Sequence, residues 1–233
     1  MNFDQQFSQI AALIGDRVRS LMLWNLLDGR AYTATELAVC ADVSPQSASN
    51  HLRKMVDAGI LKVEKQGRHR YYRYSSAKVA YAIESMANLL PSERVSLNKE
   101  PSEPTGETYA RTCYDHLAGQ LGVKITDALL SGGIIKTVGE KYDVTRKGIN
   151  WFEVLDIDIA ELRSKRRSFA HSCLDWSERR HHLAGALGAA FLDKMISNGW
   201  IRKKRNSREV HITYKGQKRL SELLKVKAKI ESA

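Results

Sequence analysis

Between Ser44 and Tyr74 the chain reads SPQSASNHLRKMVDAGILKVEKQGRHRYYRY, and its side chains sort by what they can do. Ala48, Leu52, Met55 and Val56 recur at helical spacing and turn inward, leaving Gln46, Ser47, Ser49, Asn50 and Arg53 outside. Glutamine and asparagine amides can pair with two atoms of an adenine edge, and serine can donate or accept at a base edge or phosphate. A solvated helix face carries the same residue types, so the face alone fits both readings. Downstream, Lys65, Arg68, His69 and Arg70 gather in one short stretch, a group suited to phosphate oxygens or a minor groove.

Such residues act only if the backbone aims them. Phe7, Ile10, Leu13 and Ile14 form one apolar stripe, and Val18, Leu21, Met22, Leu26 and Leu27 a second, which Gly29 stops. Thr33 to Cys40 reads as a short helix with Leu37 and Cys40 inward, and ADV turns tightly into Ser44. Ser44 is placed to cap the next helix, with Pro45 at its first position, where a missing N–H does no harm. Two helices joined in this way are a helix-turn-helix, whose second member enters a DNA major groove. Gly59 ends that helix, Ile60 to Val63 and Arg70 to Tyr74 read as two strands, and KQGRH turns at Gly67 with the cations at its tip. The pattern predicts a winged helix whose candidate DNA contacts are Ser44, Gln46, Ser47, Ser49, Asn50, Arg53, Arg68, His69 and Arg70.

The run TELAVCADVSPQSASNHLRKMVDAGILKVEKQGRHRYYRY resembles the arsenic-repressor (ArsR/SmtB) family of bacterial winged-helix transcriptional regulators. The likeness lies in its Glu-Leu, Ser-x-x-Ser, His-Leu and Ala-Gly-hydrophobic phrases and the basic, tyrosine-rich wing, and covers about residues 5 to 90. It implies a homodimer built on the first and last helices of the domain, around Phe7 to Ile14 and Val79 to Leu90, that represses by occluding a promoter. It also implies that His51 joins Gln46, Ser47, Ser49 and Asn50 at an operator, and a two-fold dimer predicts an inverted-repeat site. The family's familiar metal sites do not carry over. Glu36-Leu37-Ala38-Val39-Cys40 lacks one of the two cysteines of the thiolate site, and SAKVAYAIESMANLL has no histidine for the other. Cys40 is read as core, since a free cysteine behaves as a small buried hydrophobe.

Pro91, Pro101 and Pro104 fall in a polar segment without periodicity, so residues 91 to 107 read as a linker between a domain of residues 1–90 and one of residues 108–233. The second domain repeats itself. DHLAGQLGVKITDALLSGGIIK and HHLAGALGAAFLDKMISNGWIR match His116 to His182, an offset of 66, and Gly119, Gly122, Asp127, Ser131 and Gly133 to Gly185, Gly188, Asp193, Ser197 and Gly199. VTRKG and ITYKG then cap a further helix with threonine. Each copy reads helix, hairpin, helix, and LDKMISNGWIRK aligns with LRKMVDAGILKV, pairing Met195 with Met55 and Gly199 with Gly59. The expected fold class is mainly α with small β-hairpins: an N-terminal winged helix-turn-helix, then two winged-helix-like repeats at about 108–156 and 171–230. The HLAG segments are read as small-residue helix contacts.

Related phrases, RTCYDH and HSCLDW, introduce the two copies. Cys113 and His116, three apart, would share a helix face, and Cys173, Asp115, Asp175, His171, His181 and His182 add candidate ligands for a metal or thiol-redox site, centred on Cys113, His116 and Cys173. Buried structural cysteines are the plain alternative. Tyr109, Tyr114, Trp151, Phe152, Trp176 and Trp200 could wall an organic pocket or fill a core. Two basic clusters follow, Arg163 with Lys165, Arg166 and Arg167, and Arg202, Lys203, Lys204, Arg205 and Arg208 at the tip expected for the last hairpin.

The formal charge of +11 over 233 residues favours an anionic partner, nucleic acid ahead of a membrane. MNFDQQFSQI shows no signal-peptide pattern, apolar runs are too short for a membrane span, and three scattered cysteines make no disulfide framework, so a cytoplasmic protein is expected. No nucleophile elbow, Walker loop, HExxH helix or dinucleotide turn is present, which argues against an enzyme. The expectation is a sequence-specific regulator on double-stranded promoter DNA, with no obligatory cofactor and a metal or small-molecule effector, and a nucleoid-type binder as the rival.

Overall fold

The computed structural model describes residues 2–89, 104–205 and 207–230. It divides into two compact units, residues 1–86 and 87–233.

In the first unit α1 (Phe3–Ile14) and α2 (Arg17–Leu26) precede a short strand β1 (Tyr32–Thr33) and α3 (Ala34–Cys40). Next come α4 (Pro45–Asp57), β2 (Leu61–Gln66), β3 (His69–Tyr74) and α5 (Ala77–Met86). Met22, Leu23, Leu26, Leu37, Ala48, Leu52 and Met55 close the core, and the Tyr74 hydroxyl donates to the Leu23 carbonyl at 2.7 Å. Between α3 and α4 the chain reverses through Asp42 at φ 51°, a left-handed residue of the kind that aspartate tolerates in tight turns.

Two strands were expected here and three are present. Tyr32 and Thr33 pair with Tyr72 and Tyr71, giving the order β1-β3-β2, while Thr33 also caps α3 by accepting from Glu36 N. A two-residue strand has no periodicity of its own, which hid it. The wing is also longer than expected: pairing runs from Leu61↔Tyr74 out to Gln66↔His69, with Gly67 and Arg68 alone at the turn.

The second unit begins with a 3-10 turn at Ala87–Leu89; residues 91–103 of the expected linker lie outside the described residues. The chain then forms α6 (Gly106–Tyr109), a hairpin β4 (Arg111–Cys113) and β5 (His116–Ala118), and α7 (Gly119–Ser131). A second hairpin, β6 (Ile135–Val138) and β7 (Lys141–Val144), leads into α8 (Arg146–Glu153), and α9 (Ile159–Ser164) follows. The order then recurs: hairpin β8 (His171–Leu174) and β9 (His181–Ala184), α10 (Gly185–Ser197), hairpin β10 (Ile201–Lys203) and β11 (Val210–Ile212), and α11 (Tyr214–Leu224). Thr145 and Thr213 cap α8 and α11, each accepting from the glycine three residues on at 3.0 Å.

Each half therefore carries one more hairpin than the expected helix, hairpin, helix. HLA, expected as helix, is strand in both halves, and the glycine after it opens the helix. Gly119 and Gly185 make that change of direction at φ 78° and 86°, where a Cβ would stand 2.8 Å from the Tyr109 or Phe169 carbonyl oxygen. The halves interlock: α7 packs on β9 and α10 on β5, so the small residues serve helix-on-hairpin contact instead of the expected helix-on-helix contact. β7 joins β8 in a four-stranded sheet β6-β7-β8-β9, and Thr112 N donates to the Arg208 carbonyl at 2.8 Å.

Candidate functional site

On α4 the sequence does what its periodicity asks. Ala48, Leu52 and Met55 are buried, Ser44 caps the helix by accepting from Ser47 N at 3.2 Å, and Gln46, Asn50 and Arg53 are exposed. Ser47 and Ser49 are half-buried, and the Ser49 hydroxyl donates to the Pro45 carbonyl at 2.8 Å, so its free lone pair is what remains for a ligand. His51 is half-buried on a different side of the helix. Its Nδ1 lies 3.3 Å from Arg19 Nη1 and 3.6 Å from Asp16 Oδ1, which ties α4 to the start of α2.

Arg68, His69 and Arg70 are all exposed on the wing. Ser49 and Arg53 meet these three residues across a groove of about 440 Å³ between α4 and the hairpin. Three guanidinium groups and an imidazole around one groove make a cationic surface with forked donors of the kind that pair with phosphate oxygens. Cys40 lies apart from it, half-buried, its thiol donating to the Leu37 carbonyl and pushed up in pKa by burial.

The second unit holds a different arrangement. Cys113 and His116, expected on one helix face, instead sit opposite each other across the β4–β5 hairpin, joined by a two-residue turn with Tyr114 at φ 56°. A spacing of three fits both a helical turn and a tight hairpin, and the backbone takes the second. Cys173 and His182 are likewise cross-strand partners on β8 and β9. The two hairpins bring the pairs together: Cys113 Sγ lies 3.9 Å from Cys173 Sγ, and His116 Nε2 lies 3.0 Å from His182 Nε2. All four donor atoms fall within 4.8 Å of one another. Cys113, His116 and His182 are buried and Cys173 is half-buried, while His171 and His181 stay outside the group.

A carboxylate stands behind each imidazole. His116 Nδ1 lies 3.3 Å from Asp115 Oδ1, which also pairs through Oδ2 with Arg167 at 2.7 Å. His182 Nδ1 lies 3.4 Å from Asp175 Oδ2 without forming a hydrogen bond. Asp175 in turn accepts from Arg111 Nη2 at 2.9 Å, with both side chains wholly buried and the Trp176 ring over the guanidinium. Burial opposes the charged form of Asp175, but Arg111 and His182 outweigh it and hold the carboxyl below its ordinary value. The two imidazoles are driven apart. Burial pushes His116 down, yet the Cys113 sulfur and Asp115 lift it to about 9, whereas burial and the facing His116 hold His182 well below its ordinary value.

Other expectations move. Tyr109, Phe152 and Trp200 are buried in the core, and Trp151 stacks edge-on against Phe152 and Phe191, so these rings pack as core. Arg208 was expected at a solvated tip. It is buried, with Nε donating to the Thr112 carbonyl at 3.1 Å, while Arg202, Lys204 and Arg205 remain exposed. His182 was a peripheral candidate in the sequence and is a full member of the cluster; its match to His116 was the available signal.

Residues 14–64 match a family described as a helix-turn-helix domain. The chain is 43% identical over 220 residues to the uncharacterized HTH-type transcriptional regulator YdfF of Bacillus subtilis (strain 168), covering 94% of this chain and 97% of that one. Among solved structures, the homodimeric winged helix-turn-helix DNA-binding domain of Mb0332 from Mycobacterium bovis, a possible ArsR-family regulator, is 19% identical with a TM-score of 0.34, covering 36% of this chain and 78% of that one. HlyU from Vibrio cholerae is 23% identical with a TM-score of 0.34, covering 38% and 97%.

Proposed function

The chain belongs to the HTH-type transcriptional regulators, and from that membership we propose that it is a homodimeric repressor of the ArsR type, specific for an inverted-repeat operator. The observation that carries the reading is the groove in which α4 and the wing face each other. Gln46 and Asn50 stand exposed on the helix for base edges, and Arg53, Arg68 and Arg70 surround the groove for phosphates. The net charge of +11 agrees with a polyanionic partner.

A second copy of the chain is supported by α1, which buries none of its residues and leaves Phe3 76% and Phe7 68% exposed. An uncovered apolar stripe on the first helix is what a two-fold dimer would bury. An effector taken up by the second unit would then relieve repression. No helix among the described residues is long and apolar enough to cross a membrane.

The test is binding of the purified protein to its own upstream intergenic DNA against random DNA of equal length at moderate salt. Gln46→Ala should erode the preference for upstream DNA, and Arg70→Ala should weaken binding to both DNAs. If both variants kept affinity and preference, the reading surface would be wrong; equal binding to both DNAs by the parent protein would favour a nucleoid-type role.

A further inference from the structure

We infer that Cys113, His116, Cys173 and His182 form a closed four-ligand site for one zinc(II) ion per chain, clamping the two halves of the second unit together. The donor set suits it: two thiolates and two imidazoles are a common zinc complement, and four protein ligands leave no position open for catalysis. The spacing suits it too. Zinc bonds of about 2.3 Å to sulfur and 2.0–2.1 Å to nitrogen, set tetrahedrally, give edges of about 3.8 Å between sulfurs and about 3.3 Å between nitrogens. The observed edges are 3.9 Å and 3.0 Å.

The surroundings argue for a cation in particular. Asp115 stands 3.3 Å from His116 Nδ1 and Asp175 3.4 Å from His182 Nδ1, so each imidazole turns its Nε2 toward the other ring and the two sulfurs, with the Nε2 atoms 3.0 Å apart. Two buried ring nitrogens so placed hold a cation between them, a proton in the metal-free protein or a metal ion that displaces it. Two thiolates neutralise a divalent ion, and each outer carboxylate has its own arginine, Arg167 or Arg111, so the loaded cluster is neutral in its buried setting. The chain also keeps the arrangement twice over. The cysteines are 60 residues apart and the histidines 66, so the second hairpin carries extra loop, yet Cys173 and His182 still face each other as Cys113 and His116 do. Gly188 sits where a Cβ would come 3.2 Å from the His116 Cβ, which leaves room for the hairpin to seat.

The experiment titrates reduced, metal-free full-length protein with cobalt(II), then displaces it with zinc(II). The expected result is a thiolate-to-cobalt charge-transfer band with the intense visible bands of a tetrahedral site, saturating at one equivalent per chain and abolished by zinc. Cys113→Ser and Cys173→Ser each remove one of the two cobalt–sulfur bonds and should cut the charge-transfer intensity to roughly half or less, while circular dichroism verifies the fold. Asp115→Asn, which keeps all four ligands, should weaken cobalt binding about 10–100-fold. Absence of tetrahedral bands in the reduced parent protein, an undiminished charge-transfer band in both serine variants, or reversible Cys113–Cys173 disulfide formation without metal uptake would each overturn the site. Operator binding is measured on the same samples, and its failure would count against the regulator reading alone.

Discussion

Asn50 and Cys113 meet solvent in opposite ways: Asn50 stands exposed on α4 with its amide in water, while Cys113 is 1% exposed within a cluster whose polar atoms face one another. The proposed reading surface would be completed by DNA, and its exposed side chains can change without disturbing the fold. The cluster has no such freedom, because a buried polar group left without its counterpart costs the whole of its desolvation. One unit holds its chemistry outward on a single helix and wing, the other inward where two half-copies meet.

The sharpest way to break that contrast is Asp175→Ala. Asp175 and Arg111 are wholly buried at 2.9 Å, and Asp175 also accepts from Gly119 N at 2.7 Å, so removing the carboxylate should cost about 3–5 kcal/mol of stability. Urea unfolding of the reduced, metal-free protein measures it, and a loss below about 1 kcal/mol would mean that the buried network does not hold the unit. Asn50→Ala should do the reverse. About 1–3 kcal/mol of discrimination between operator and mutated operator should vanish, with unfolding free energy unchanged within about 0.5 kcal/mol. Ser44→Ala tests the boundary between the two kinds of residue, because the hydroxyl that caps α4 is itself exposed. Loss of the cap should cost about 1 kcal/mol of stability, read in the same urea titration; no loss would make Ser44 a member of the reading surface only.

These regions also differed in how far the sequence disclosed them. The helix at Ser44 announced itself through a cap, a proline at the first position and an apolar stripe at Ala48, Leu52 and Met55, and each local signal agreed with the final packing. The wing was visible but short by several residues, because Glu64, Lys65 and Gln66 are solvated strand positions that give no apolar alternation. The second unit disclosed its repeat and hid its shape. Strands of three residues, such as His116–Ala118, are too brief to show a period of two, and their small apolar residues read as helix. The pairing of His116 with His182 depends on contact between residues 66 apart, which no local pattern reports, and the longer second loop blurred the match of Cys113 to Cys173. Arg208 likewise looked like one cation among five, and only the fold turned it inward to Thr112.

The interlocking of the two half-copies also has a consequence in time. The sulfurs of the cluster are separated by 60 residues, so at about 5–20 residues per second a ribosome delivers the second hairpin roughly 3–12 s after the first. Throughout that interval the first hairpin carries a thiol, an imidazole and the underside of α7 with nothing to set against them, although hairpins and helices form within microseconds. The nascent chain thus passes through a stage in which half of a core is made and waits for its mirror, and any second nascent copy nearby offers a matching half.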